Sequence, residues 1–598
     1  MKMTLNSKLR DIYTHPVGRD IVDKLLLQIG KPAWIINNGV IGNVKLKTVQ
    51  RLTRGRLAPG FFDALLALLN IEPGAPDSNP AAAAPAWWKE AVFYQIYPRS
   101  FASGGLRGIL SKLDYLRDLG VDAVWLSPVY DSPNDDNGYD IRDYYKILPE
   151  FGTMDDMDAL IAGLHQRGMK LVMDLVVNHT SDEHPWFQTA LRDEQSPYRD
   201  FYFFRTTGGP PNNWTSFFSG SAWNYYQEQK VWALHLFSKK QMDLNWECPA
   251  LREEIYKMVR WWLNKGVDGF RLDVINFISK SEGLPDGDPF IGTLMGYTGI
   301  ERYFYGPKLH EYLKELRAQA FEPYKAFSVG ETPGVGIQMG RLLTDNYRRE
   351  LDLIFSFDHL ETPGHSRFDD YRYDLSYLKR FYQTRLNADH GHGWNTLFFN
   401  NHDNPKFLSK VDPESAYTQP LARLLALLQL TLRGTPFLYQ GDEAGTQNQP
   451  FTSIDEIHDV ESLGLYAELI KTNPPDKAFK RILAGTRDHA RAPLHWEELE
   501  RQQNDPDSVR QFYRNLITLR RSSKALIYGE LAFLRPKDKT LLSYTRTLAD
   551  ECFYIEANLS PAVRRSKAPK GAELLFGNYE GSPNTLRPYE VRLYRVKK

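Results

Sequence analysis

The chain has 598 residues, with 74 Lys plus Arg against 74 Asp plus Glu, so its formal net charge is zero. That balance argues against a nucleic-acid or acidic-membrane partner, which would want a basic surface. Two cysteines, Cys248 and Cys552, exclude a disulfide scaffold and a Cys-based zinc site, and they suit a reducing compartment. Residues 1–14 carry no apolar core of signal-peptide length and no stretch is long enough to span a bilayer, so the expectation is a soluble, cytoplasmic protein. Aromatics make up 13% of residues, which suits stacking on sugar rings and large cores alike.

In chain order, residues 1–71 read as a small helical unit. Ile21, Val22, Leu25, Leu26 and Ile29 fall at helical spacing before Gly30, and Phe61, Phe62, Leu65, Leu66, Leu68 and Leu69 form a second apolar helix. So much leucine must pack on itself, on the main domain or on a second subunit. A fold-stabilising appendage and a homo-oligomerisation element fit equally well. Residues 72–86 are a Pro/Ala linker, and the main domain is expected from Trp87 onward.

From there strand-like runs at 92–97, 123–127, 170–177, 267–274, 326–330, 353–357, 396–400 and 436–440 alternate with helical patterns such as 106–119, 155–167 and 252–264. Eight strands alternating with helices predict an α/β fold, a closed (β/α)8 TIM barrel spanning 87–521. Residues 181–241, rich in Trp, Tyr, Phe, Gly and Asn, are too long for a loop and read as a subdomain inserted after the third strand. Residues 510–519 predict the last barrel helix. The alternating runs 541–545, 552–557 and 589–596 predict a C-terminal antiparallel β domain over 522–598.

The chemistry centres on the stretch from Gly269 to Asn276. Arg271 and Asp273 are two apart on a strand and share a face, and a neighbouring arginine favours an ionised carboxylate. Alone, that pair reads equally well as a buried structural ion pair. Other strand ends decide it: Asp174, Asn178 and His179 on the third, Glu331 on the fifth, and Asn400 to Asp403 with His402 on the seventh. Catalytic groups of such barrels sit at these C-terminal ends. Packing alone has no reason to gather charges there, since burying them is costly. A metal centre is disfavoured because no His-x-x-x-His or similar ligand spacing appears, and a Ser-His-Asp hydrolase because no Gly-x-Ser-x-Gly elbow stands out.

These motifs resemble glycoside hydrolase family 13, the α-amylase family, within it the oligo-1,6-glucosidase and α-glucosidase branch. They are Asp174-Leu-Val-Val-Asn178-His179, Gly269-Phe-Arg-Leu-Asp273, Val329-Gly-Glu331 and Asn401-His-Asp403, with support from 94–101, 132–140, 243–247, 451–455 and 487–496. The resemblance runs from about residue 87 to the end and leaves the N-terminal unit out. It implies Asp273 as nucleophile, Glu331 as general acid/base and Asp403 as the third carboxylate, gripping substrate hydroxyls. It implies Asp140, His179, Arg271, His402 and Arg487 around the non-reducing glucose, Asp140 with Arg487 closing the pocket's far end; a loop-pinning salt bridge is the plain alternative for that pair. It implies no cofactor.

Val274, directly after the nucleophile, matches α-1,6-acting members, whereas α-1,4-acting members tend to have Thr there. A Val that merely packs in its strand is the plain alternative. Three departures stand out. The loop 100–107 lacks the carboxylates of a calcium-type loop, so metal is not expected there. Lys406 stands where relatives carry Arg. Residues 359–364 lack the Arg-Leu-Asp-Arg-Asp run of sucrose-isomerising relatives. The resulting expectation is an exo-acting retaining α-glucosidase acting on short α-1,6-linked oligosaccharides. The rivals are an α-1,4-glucosidase, a sucrose hydrolase, a glucosyl-transferring or isomerising relative, and a non-catalytic sugar-binding or transporter-associated scaffold.

Overall fold

The structure is a computed structural model that describes residues 2–28, 33–53, 61–70, 85–388, 393–580 and 584–597. The expected stop at Gly30 and residues 72–84 of the expected linker lie outside the described residues. All eight expected barrel strands form: β1 Phe93–Ile96, β2 Ala123–Leu126, β3 Lys170–Leu175, β4 Gly269–Leu272, β5 Phe327–Glu331, β6 Leu353–Phe355, β7 Thr396–Leu397 and β8 Thr435–Tyr439. They are hydrogen-bonded in the order β6-β5-β4-β3-β2-β1-β8-β7, each pair parallel. The two end strands are joined by a side chain, Thr396 Oγ1 donating to the Ile354 carbonyl at 2.9 Å. The barrel is therefore nearly closed.

Strands covered on both faces need no polar alternation, and Val92, Phe93, Tyr94, Ile96, Leu171 and Val172 are all fully buried. The Phe93, Phe327 and Phe437 rings pack together inside the barrel, at 5.2 Å and 4.4 Å from Phe93, so the barrel is a filled core. Between strands run helices such as Met154–Gln166, opened by a Thr153/Asp156 capping box, and Pro249–Lys265, ended by Gly266 in the left-handed region. The single helix expected over 106–119 is two, Gly105–Ser111 and Leu113–Leu119. The break falls at Lys112, whose ammonium pairs with Glu500 at 2.9 Å and lies over the Trp496 ring.

After β3 the chain makes the helix Pro185–Arg192 and a three-stranded antiparallel sheet of Phe204–Arg205, Trp223–Tyr226 and Val231–Leu234. It returns through Gln241–Asp243, which pairs antiparallel with His179–Ser181. This ties the insertion's exit to the chain just beyond β3, at the barrel mouth. At the other end of the chain, a five-stranded antiparallel sheet holds Glu530–Leu534 and Glu573–Gly577 besides the three expected strands. Those two escaped the sequence because the first is half-exposed throughout and the second is bulged between Leu574 and Phe576.

The N-terminal helices pack in two of the ways the sequence left open. Met3, Ile12, Leu46, Phe62 and Leu69 bury one another. Val17, with Ile21 and Leu68 beside it, enters the barrel's own core.

Candidate active site

The parallel register sets the site. Arg271 on β4 lies opposite Asp174 on β3 and Val329 on β5. Its guanidinium is a hub: Nη1 meets Asp174 Oδ1 at 2.5 Å and Asp273 Oδ1 at 2.6 Å, and Nη2 meets Glu331 Oε2 at 2.6 Å. A planar guanidinium presents five N–H donors in fixed directions, which suits it to serving several carboxylates at once. Arg271 and Asp273 thus share a face, as strand alternation requires. Trp125 flanks the hub, donating from Nε1 to Asp174 Oδ2 at 2.9 Å.

Beyond β4 the chain turns sharply. Val274 sits at φ +35° and ψ +39°, the left-handed region. For a β-branched residue this is strained by about 1–3 kcal/mol. The turn aims the Val274 N–H at Glu331 Oε2, 3.2 Å away. Its side chain is buried in an aromatic cluster with Phe203, Trp214, Trp223 and Phe277.

Burial pushes Asp273 up to about 6, with Arg271 pulling the other way and Asp174 and Asp403 adding to the rise. Arg271 therefore moderates the shift without reversing it. Burial also pushes Glu331 up, to about 8; Arg271 opposes this, and the charges of Asp273 and Asp403 reinforce it. At neutral pH the order leaves Asp273 ionised and Glu331 protonated.

Asp403 and His402 arrive from the segment after β7. Gln95 Nε2 donates to His402 Nδ1 at 2.7 Å, so His402 carries its proton on Nε2, which faces Tyr139 Oη at 2.6 Å and Asp403 Oδ2 at 3.0 Å. Burial pushes the imidazole down to about 3, keeping it neutral. Burial opposes ionisation of Asp403, but the Nε2–H end of the neutral His402 ring and the charges of Arg491 and Arg487 outweigh it and hold the carboxyl well below the usual range. Arg491 Nη2 is 3.0 Å from Asp403 Oδ1, and Arg487 Nη1 is 3.5 Å.

His179 is buried beside this cluster, its Nε2 3.2 Å from the Tyr139 carbonyl and 3.1 Å from Gln241 Nε2. Burial pushes it down to about 4. The structure therefore brings together Asp273, Glu331, Arg271 and Val274, places His402, Asp403 and Arg487 in the adjoining network, and reaches His179 through Tyr139.

Asp140 is the correction. It does not pair with Arg487. It is fully buried, and its oxygens accept from Ser132 Oγ at 3.0 Å, Asp136 N–H at 3.0 Å and Asp135 N–H at 2.8 Å, pinning its own loop. Arg487 Nη2 instead meets two carboxylates, Asp459 Oδ1 at 2.6 Å and Asp136 Oδ1 at 2.9 Å. Burial pushes Asp136 up to about 6. Asn137 and Gly138 follow it at φ +52° and +98°, a left-handed turn that sets Asp136 apart from Asp140. That Asn-Gly pair was the available signal.

Arg491 was also missed as a site residue. Its place four residues after Arg487, on the helix Asp488–Arg491, was its signal. Lys406 donates from its ammonium to the Gln440 carbonyl at 3.1 Å and lies over the Tyr439 ring. Of residues 100–107, Arg107 lies on the helix Gly105–Ser111 and pairs with Asp156 at 2.6 Å. Among the described residues no group of three or more His, Cys, Asp or Glu is arranged to hold a metal ion.

Residues 95–529 match the family described as "Alpha amylase, catalytic domain". Relatives include an oligo-1,6-glucosidase of Parageobacillus thermoglucosidasius, 43% identical over 86% of this chain and 99% of that enzyme. Solved structures include an isomaltulose synthase from Klebsiella sp. LX3, 36% identical with a TM-score of 0.80. They also include a trehalose-6-phosphate hydrolase of Bacillus licheniformis, 37% identical with a TM-score of 0.79; each covers 86% of this chain and is itself covered in full. With that match over most of the barrel and the charged strand ends gathered at its mouth, the chain belongs to the α-amylase family of glycoside hydrolases, family 13.

Proposed function

We propose that this glycoside hydrolase is an exo-acting, retaining α-glucosidase that releases glucose from the non-reducing end of short α-1,6-linked gluco-oligosaccharides. The observation that carries it is the shared guanidinium of Arg271, bonded to both Asp273 and Glu331. Two carboxyls tied to adjacent nitrogens of one group stay close, as a double displacement needs at about 5–5.5 Å, rather than at the ~6.5–9.5 Å of an inverting pair.

In this reading Glu331 protonates the glycosidic oxygen while Asp273 attacks the anomeric carbon. The glycosyl-enzyme ester then yields to water, which gives its proton to Glu331. Asp403, kept ionised by its cations, accepts hydrogen bonds from glucose hydroxyls and supports the positive charge of the transition state. Asp136 and Arg487 close the far end of the pocket and make the enzyme exo-acting. The α-1,6 preference rests on Val274, which offers no hydroxyl, and on the names of relatives such as the Parageobacillus enzyme.

The division of the chain into 1–71, 72–86, 87–521 and 522–598 belongs to the same proposal. So does a cytoplasmic location, supported by two free cysteines. Among the described residues no helix is long and apolar enough to cross a membrane. The test of mechanism is the anomer of the glucose first released from p-nitrophenyl α-glucoside, whose leaving group is not a sugar, followed by proton NMR. α-Glucose supports retention, and β-glucose overturns it.

A further inference from the structure

The N-terminal unit lies outside the family match, which begins at residue 95. Yet one of its side chains is built into the segment that follows Glu331. Residues 332–336 connect Glu331 to the helix Ile337–Thr344. That helix starts on Gly336, which has no side chain to accept from the first free N–H groups. Asp20, on the helix Pro16–Gln28, supplies the acceptor from outside. Its Oδ2 accepts from the N–H of Gln338 at 2.6 Å and of Met339 at 2.7 Å. A carboxylate there also suits the helix dipole.

Gly336 is fitted to this contact. A Cβ on it would lie 2.5 Å from the Asp20 carboxyl carbon. One turn further along, Lys24 Nζ pairs with Asp358 Oδ1 at 3.2 Å, just beyond β6. One helix face thus grips the chain behind both β5 and β6. The other titratable or charged groups acting on Asp20 are Asp358, Arg385 and Tyr305, whose Oη donates to the Met339 carbonyl at 3.2 Å.

We infer that the N-terminal unit braces the acid/base, with Asp20 as a positioning residue that caps the helix after Glu331 and so holds residues 332–336 in place. This rests on the reading of Glu331 as acid/base. The anchored segment keeps the Glu331 carboxyl against Arg271 Nη2 and the Val274 N–H, away from water. Loosening it admits water to Glu331, relaxes the burial that raises its pKa, and spoils its aim.

The test uses the full chain as Asp20→Asn, Asp20→Gly, and Asp20→Gly combined with Gly336→Asp. The double variant moves the carboxylate onto the helix's own cap position, in the space the lost Cβ vacates. For each, kcat and KM on isomaltose per folded enzyme and the basic limb of the kcat/KM profile are measured. Asp20→Gly should lower kcat about 10-fold, as misaimed catalytic groups do, with little change in KM. Its basic limb should fall by about one pH unit as Glu331 is rehydrated.

Asp20→Asn, which keeps one acceptor, should fall between, and the double variant should recover most of kcat. Wild-type kcat and basic limb in folded Asp20→Gly or Asp20→Asn overturn the proposal, whatever happens to thermal stability. So does a double variant no better than Asp20→Gly. Should Asp20→Gly not fold, Asp20→Asn decides alone. Glu331→Gln separates the two readings: if it keeps full activity, the acid/base assignment fails independently of Asp20.

Discussion

The backbone N–H of Val274 donates to Glu331 Oε2 at 3.2 Å, and it reaches that oxygen because Val274 sits at φ +35°. The residue after the proposed nucleophile therefore orients the proposed acid. Its strain serves that contact, and its side chain faces an aromatic cluster. Val274→Thr keeps the volume and adds a hydroxyl. It should lower the ratio of isomaltose to maltose kcat/KM by roughly 10-fold, the 1–3 kcal/mol that one hydroxyl can direct. An unchanged ratio removes Val274 from linkage choice.

Asp273 must be ionised and Glu331 protonated for the first step. With Asp273 raised to about 6 and Glu331 to about 8, activity should rise with pH through about 6 and fall through about 8. The two limbs report this pair, and kcat/KM for isomaltose between pH 4 and 10 measures them. A profile flat from 5 to 9 would contradict the assignment.

Asp273→Asn removes the nucleophile while keeping its shape. Turnover of isomaltose should fall by ~10⁴-fold or more with the melting transition retained. Activity within ten-fold of wild type would exclude a glycosyl-Asp273 intermediate.

Asp136 and Asp140 should separate cleanly. Asp136→Ala removes one of the carboxylates that hold Arg487 at the pocket end, and kcat/KM for isomaltose should fall roughly 10–100-fold. Asp140→Ala instead unties the loop it pins, costing roughly 2–3 kcal/mol of stability at the first melting transition. The reverse pattern would restore Asp140 to the pocket.

Arg271→Lys leaves a point charge where a fork served three carboxylates. Unpaired buried charge costs about 3–5 kcal/mol, so the variant should be less stable and should lose its neutral pH optimum. Thermal melts and the pH profile check both.

Much of this was legible in the sequence because barrel strands buried on both faces announce themselves as apolar runs, and catalytic groups stand at their ends. That Asp273, Glu331 and Asp403 stand at strand ends followed from that pattern; their separate roles came from the family resemblance. What stayed hidden depends on distance rather than pattern. Asp136 and Asp140 are equivalent in composition, and only the turn at Asn137 and Gly138 decides which one meets Arg487. The raised pKa of Asp273 was hidden too, since a strand pattern shows its arginine but not how completely the pair is buried. Asp20 gave no signal, because its partners lie more than 300 residues away in the chain.

The most direct test of the central claim is the initial rate of glucose release from isomaltose, maltose and sucrose at equal low concentration. An α-1,6-glucosidase with this site releases glucose from isomaltose much faster than from the other two. Faster release from maltose or sucrose would contradict the linkage assignment, and no release from any of them would contradict the enzyme.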